Sequence, residues 1–271
     1  MNTSLLFTIT PTSFPVTNTV NTCMQQQKVL VDIWAKLYPG VSERILENFL
    51  STIETNRPAD NVSTQKVDWY KDAVVYSLYV DLFNQDFAGL TDKLGYLQEL
   101  GVTCLWLLPV LDSPMRDAGF DISDYFSIRT ELTGKQIQGS HKVFLDFLKQ
   151  AHKHNIRVIF DIAMNHTSEE HHWFKEAKKS KENPYRKFFI WSKDTTLYSG
   201  ARIIFKGIEE SNWELLGDEY FFHRFFNFQP DLNYKNPEVL LAMSRALLFW
   251  QNAGIDGFRA DAIPYLSLIH I

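Results

Sequence analysis

Three short segments hold the side chains that chemistry would need. The first, "DSPMRDAGFDISDY" (112–125), sets aspartates among aromatic residues. The second, "DIAMNHTS" (161–168), offers Asp161, Asn165 and His166. The third, "GFRAD" (257–261), offers Arg259 and Asp261. A carboxylate can act as nucleophile, a guanidinium two residues before it as its charge partner, and an imidazole from another segment as a hydrogen-bonding group. Singly, an aspartate at the end of a strand is more often a cap or an ion-pair member. What matters is whether the three segments converge.

Each segment follows an apolar run, and the pattern of those runs predicts the convergence. "AVVYSLYV" (73–80), "VTCLWLLP" (102–109), "IRVIFDIA" (156–163) and "IDGFRAD" (255–261) read as strands. Continuous apolar content suits parallel strands covered on both faces. Between them lie helical patterns: "GLTDKLGYLQELG" (89–101), "HKVFLDFLKQAHKHN" (141–155) capped by Ser140, and a helix capped by Asn236. This last helix has Pro237 at its first position and Gly254 as its terminator. Repeating βα units imply an α/β fold with a parallel sheet. In such folds polar residues at the carboxyl ends of successive strands share one face. Two insertions, 109–139 and 164–236, interrupt the rhythm. The second is long enough to be a subdomain with its own strands, such as "EYFFHRFFNF" (219–228).

Ahead of the repeating units, residues 1–23 are rich in Thr, Ser and Asn and read as a disordered leader. Residues 24–68 read as two helices and a linker. Ser42 caps the second helix, and Ile45, Leu46, Phe49, Leu50 and Ile53 share one face. The units then divide as 69–163, the insertion 164–236, and a last helix and strand over 237–266.

Composition excludes several classes. A formal charge of −5 gives no basic footprint for nucleic acid. No apolar run is long enough to span a bilayer, and no basic residue precedes Lys28 as a secretory signal would require. A cytoplasmic protein is the expectation. Cys104 sits in an apolar run and reads as core. His152 and His154 read as surface. His171 and His172 are adjacent and poorly placed to share an ion.

The motifs together resemble the conserved regions of the α-amylase superfamily, glycoside hydrolase family 13. "DIAMNHTS" is similar to its first region and "GFRAD" to its second. "GVTCLWLLPVLDSPMRDAGFDISDY" resembles the stretch around its second strand, and "QPDLN" (229–233) the motif that closes its inserted subdomain. "ARIIF" and "SNW" (within 201–213), with "HRFFNFQPDLNY", look most like the trehalose synthase subgroup. The resemblance implies a (β/α)8 barrel with an inserted subdomain after the third strand, and action on α-glucosidic bonds by a retaining mechanism, with maltose–trehalose interconversion the expected reaction. It makes Asp261 the nucleophile, with Arg259 keeping that carboxyl ionised and its pKa low. Asp121, His166 and Arg259 would bind the glucose ring, and Phe120 would stack on it where the family usually has tyrosine. It also implies a structural calcium held by Asn165, Asp231 and the carbonyls of Tyr265 and Leu266. The glutamate that should complete that set is replaced by Leu268.

By the same resemblance only four of eight barrel strands fall within these 271 residues, so the acid/base carboxylate is expected beyond Ile271. Residues 267–271 read as a non-native tail matching an adapter sequence, on a fragment inactive by itself and with open edges at its first and fourth strands. A small oligosaccharide such as maltose is the expected partner, with neither nucleic acid nor membrane. Two alternatives are a hydrolytic α-glucosidase or α-amylase, and a non-catalytic binding protein on the same fold. The intact Asp261 and Arg259 argue against the second.

Overall fold

A computed structural model describes residues 6–7, 19–55, 68–134 and 141–266. The chain divides into two compact units, Thr10–Lys71 and a second made of Met1–Ile9 with Asp72–Ile271. The smaller contains α1 (Thr19–Leu37) and α2 (Glu43–Thr55). The α2 start follows the expected cap, with the Arg44 N–H donating to Ser42 Oγ at 3.3 Å. Leu46 and Phe49 are its buried residues, and Ile45, Leu50 and Ile53 are half-buried on the same face.

The larger unit is built on a five-stranded sheet. β1 (Leu6–Phe7) pairs antiparallel with the strand at one edge. The other four are parallel: β2 (Val75–Leu78), β3 (Cys104–Leu107), β6 (Arg157–Ala163) and β10 (Gly257–Asp261). They lie side by side in chain order. This is the arrangement of the first half of a (β/α)8 barrel, and the described sheet is open. Every β6 residue after Arg157 is buried, as expected of a strand covered on both faces.

The helices between the strands are α3 (Val80–Asn84), α4 (Phe87–Asp92) and α5 (Leu94–Glu99) after β2, then α6 (Lys142–Lys153) before β6 and α8 (Pro237–Ala253) before β10. Phe87, Phe144, Phe147, Phe160 and Trp250 form one aromatic cluster of edge-to-face and tilted pairs, with centroids 5.0 to 6.4 Å apart. Burying aromatics at this density supplies much of the folding free energy. The α8 boundaries match the expected signals: Asn236 accepts from the Glu238 N–H, Pro237 is first, and Gly254 closes the helix at φ +105°. Cys104 is buried, and burial pushes its thiol up to about 12.

Several boundaries differ from expectation. The helix read over 89–101 is two short helices. The Thr91 hydroxyl donates to the Phe87 carbonyl, and Lys93 N–H turns to Leu90, so the ladder breaks between them. Its start moves back because Asp86 takes the Gly89 N–H at 2.8 Å. The expected cap Ser140 lies outside the described residues, and α6 begins after His141. The leader read as disordered supplies β1, and α1 begins inside it. β1 partly covers the edge of β10 that was expected to be open.

The first insertion forms a hairpin of β4 (Leu111–Asp112) and β5 (Asp124–Ile128). The second holds α7 (His172–Ala177) and a three-stranded sheet of β7 (Trp191–Ser192), β8 (Trp213–Leu216) and β9 (Glu219–Phe222). The strand expected over 219–228 stops at Phe222. Beyond it the Arg224 N–H leaves the ladder and donates to the Asp231 carboxylate. His171 is buried and its Nδ1 caps α7 through the Trp173 N–H at 3.1 Å. On α6, His152 meets Asp256 at 2.7 Å and His154 of the following turn meets Gln98 at 2.9 Å.

Candidate active site

The period of two along β10 puts Arg259 and Asp261 on the same side of the strand. Arg259 Nη1 donates to Asp261 Oδ1 at 2.7 Å. The same nitrogen donates to Asp161 Oδ1 on the neighbouring β6 at 2.7 Å. Parallel pairing sets Arg259 directly beside Asp161, so the register makes this contact. Asp161 Oδ2 also accepts from Trp106 Nε1 of β3 at 2.9 Å. Three adjacent strands are thus tied by one guanidinium, two carboxylates and an indole. Tyr79, just after β2, is near enough that burial and then Asp161 raise its hydroxyl pKa.

One positive charge serves two carboxylates here, and burial costs both of them. Asp161 is almost fully buried, and its pKa is pushed up to about 6 against the donations from Arg259 and Trp106. Asp261 is half-buried. Its pKa is also raised, because burial outweighs the Arg259 charge. This corrects the expectation that Arg259 holds Asp261 low. The guanidinium opposes the rise, but it is shared with Asp161.

Asp121 reaches the site on a loop. Its carboxylate is fully buried and takes donations from Ser113 Oγ at 2.9 Å, Asp117 N–H at 3.1 Å and Arg116 N–H at 3.2 Å. The preceding residue, Phe120, lies with its ring centroid 6.0 Å from the Arg259 guanidinium, and the Trp106 ring is 5.5 Å from the same group. Gly119 allows this approach: its φ is +94°, and a Cβ there would stand 2.6 Å from Pro109 Cβ.

His166 follows β6 and is buried. Its pKa is lowered to about 4 by burial, with the Phe120 backbone pulling the other way, so the ring is neutral at pH 7. Among the described residues its Nε2 has no partner of hydrogen-bonding geometry, and the ring lies beside the Phe120 backbone. The turn carrying it is fixed from two sides. Tyr125 Oη donates to the carbonyls of Ala163 and His166, and Tyr234 Oη donates to that of Met164.

All five residues expected to hold or attack a sugar, Asp261, Asp121, His166, Arg259 and Phe120, are therefore gathered at the carboxyl ends of the parallel strands. Two further members went unrecognised in the sequence. Asp117 Oδ2 accepts from Gln229 Nε2 at 2.8 Å, and Gln229 is fully buried. Burial raises the Asp117 pKa against that donation, and the charges of Asp121 and Asp261 raise it further. Asp117 thus lies near both carboxylates and links them to the "QPDLN" segment. Gln229 stood in a quoted motif, but nothing in the string pointed to a partner 112 residues away.

Of the four residues expected to hold calcium, Asn165 and Asp231 are neighbours. Asn165 and Asp231 are buried, His166 bridges to Asp231, and the Leu232 N–H donates to the Asn165 carbonyl at 2.8 Å. Burial pushes Asp231 up to about 7, against the Arg224 N–H and the Asn165 side chain. An amide and a carboxylate are oxygen donors of the kind a hard cation takes. They are few, and no group of three His, Cys, Asp or Glu suited to a metal occurs among the described residues.

The model of the α-amylase catalytic domain matches residues 9–270. The chain belongs to the α-amylase catalytic-domain family. Relatives within the family include the trehalose synthase/amylase of Mycolicibacterium smegmatis. It is 46% identical over 208 residues, which cover 73% of this chain and 34% of that protein. The oligo-1,6-glucosidase of Parageobacillus thermoglucosidasius is 40% identical over 74% of this chain and 36% of its own length. Among solved structures, Bacillus licheniformis trehalose-6-phosphate hydrolase superposes with a TM-score of 0.65 at 38% identity. That match covers 73% of this chain and 36% of that one. The chain thus spans about a third of the length of the relatives it matches. Among the described residues no helix is long and apolar enough to cross a membrane.

Proposed function

We propose that this chain carries the nucleophile and the glucose-binding groups of an enzyme that acts on α-glucosidic bonds with retention. The observation that supports it most is Asp261 at the tip of β10, with its Oδ1 held by Arg259 at 2.7 Å. In this reading Asp261 Oδ2 attacks the anomeric carbon, and the glycosidic C–O bond breaks to leave a glucosyl ester. The departing oxygen takes its proton from a second carboxyl group, which in retaining enzymes lies about 5–5.5 Å from the nucleophile. No described residue is assigned that role. Asp121 and the neutral His166 would hydrogen-bond ring hydroxyls, with Phe120 stacked on the ring.

The specific reaction in this proposal is the interconversion of maltose and trehalose. The released glucose re-attacks the ester through its anomeric hydroxyl, which requires water to be kept out. The Gln229–Asp117 contact, which ties the subdomain over 164–236 to the loop of Asp121, supports this reading. Calcium, when bound, would be structural, joining Asn165 and Asp231 to the carbonyls of Tyr265 and Leu266. A rise in Tm on adding calcium that a chelator reverses is the expected sign.

Incubation with maltose of a form that spans the full length of the relatives, followed by chromatography, tests the reaction. Trehalose in excess of glucose supports interconversion. Glucose alone makes the enzyme a hydrolase, as the likeness to an oligo-1,6-glucosidase would suggest. Folded protein that leaves maltose untouched overturns the maltose reading.

A further inference from the structure

A second cleft, of about 690 Å³, opens on the inserted subdomain and shares no residue with the site above. Its walls include Lys181, Arg186, Lys187 and Lys235 against one carboxylate, Glu219. In a chain of net charge −5 this is a local reversal of sign. Pairing removes only part of it. Glu219 is shared between Arg186 at 2.6 Å and Lys181 at 3.2 Å, and Lys181 also meets Asp218 at 2.8 Å. Neither Lys187 nor Lys235 has a carboxylate partner among the described residues.

Those two lysines sit on one fixed piece of backbone. The side-chain amides of Asn233 and Asn236 each donate to the Lys187 carbonyl at 3.2 Å, and the Asn233 N–H donates to the Phe188 carbonyl at 2.7 Å. Lys235 belongs to the same 233–236 turn, and its Nζ donates to Tyr198 Oη at 3.1 Å. Pro237 on the wall begins α8, so the positive end of a 17-residue helix adds to the field.

The chemistry of the walls narrows the ligand. A cation is repelled. A neutral sugar would need an open aromatic face, but Trp191 stacks with Phe174 at 7° and has the Arg186 guanidinium 3.2 Å from its ring centre. Nucleic acid needs a longer basic track than one cleft. Two unneutralised ammonium groups with a phenol between apolar walls match a dianion of small size. We propose that this cleft binds a phosphoryl dianion, carried on a small sugar or free as inorganic phosphate, at a site separate from Asp261.

The proposal is independent of the reaction assigned to the protein, and binding alone tests it. Isothermal titration at low salt compares glucose 6-phosphate, inorganic phosphate and glucose, with folding of each variant checked by circular dichroism. The expected result is that a phosphorylated probe binds and glucose does not. Lys187→Glu with Lys235→Glu should weaken that binding at least tenfold, whereas Lys193→Glu, on the same subdomain outside the cleft, leaves it within twofold. Glucose 6-phosphate binding tighter than phosphate identifies a sugar phosphate, and equal affinities identify the free anion. Each lysine changed singly to alanine gives a milder pair should the double variant fold poorly. Absence of binding by both anions, or equal binding to the wild type and the charge-reversed variants, would overturn the proposal.

Discussion

The two ends of the candidate site hold their carboxylates by opposite means. Asp261 stands on a strand and shares one guanidinium with Asp161, in a contact that parallel register dictates. Asp121 stands on a loop and has three donors from that same loop. The strand end is fixed by the sheet. The loop end depends on a distant partner, Gln229, acting through Asp117. A nucleophile needs one position, which a sheet provides. In the proposed function Asp121 binds the sugar, and a group that admits and releases a ligand suits a loop latched by a removable contact.

Five substitutions at four positions, made in a form that spans the full length of the relatives, sharpen this contrast. The largest effect is expected at the strand end. Asp261→Asn removes the nucleophile and should lower turnover on the order of 10⁴-fold or more, with little change in urea unfolding.

Next is Asp161→Asn, expected to lower kcat about 100-fold by loosening Arg259. It also carries two pH signatures. Without Asp161 the guanidinium serves Asp261 alone, so the acid limb of kcat/KM should move to lower pH. In the folded chain Asp161 takes up its proton near pH 6, against an ordinary value of 3.8. The folded state therefore holds more protons across that window, and stability falls as pH rises through it. Unfolding measured against pH should lose that slope in the variant. The slope from Asp231, whose pKa is pushed to about 7, should remain.

A smaller effect is expected at the loop end. Gln229→Leu takes the Gln229 donor from the half-buried Asp117 carboxylate, at a cost of about 1–2 kcal/mol in urea unfolding. KM should rise more than kcat falls. Gln229→Glu should do the same at neutral pH and recover as the pH is lowered, because one proton restores a donor. The smallest effect is expected at Trp250→Phe. It removes the 2.7 Å hydrogen bond to the Tyr125 carbonyl, behind the turn that carries His166. A loss of about 1 kcal/mol with unchanged KM is the expected outcome.

What could be read in the sequence follows the same division. The strands over 73–80, 102–109, 156–163 and 255–261 were legible because buried parallel strands are continuous apolar runs. The facing of Arg259 and Asp261 was legible because the strand period is two. The pKa of Asp261 was read in the wrong direction, since residue types show the guanidinium but not the burial or its sharing with Asp161. Gln229 and Asp117 escaped notice because their contact is made by tertiary folding alone. The split of the helix over 89–101 came from a threonine hydroxyl competing for a backbone carbonyl, a local effect that periodicity does not register.

The central claim is that Asp261 is the nucleophile, and it can be tested without the proton donor. A 5-fluoro-α-glucosyl fluoride has a leaving group that departs without protonation. Attack by the Asp261 carboxylate would release fluoride and leave a fluoroglucosyl ester, which peptide mass spectrometry locates. The account predicts the label on Asp261 and none in Asp261→Asn. A label on another residue, or folded protein that stays unlabelled, would contradict it.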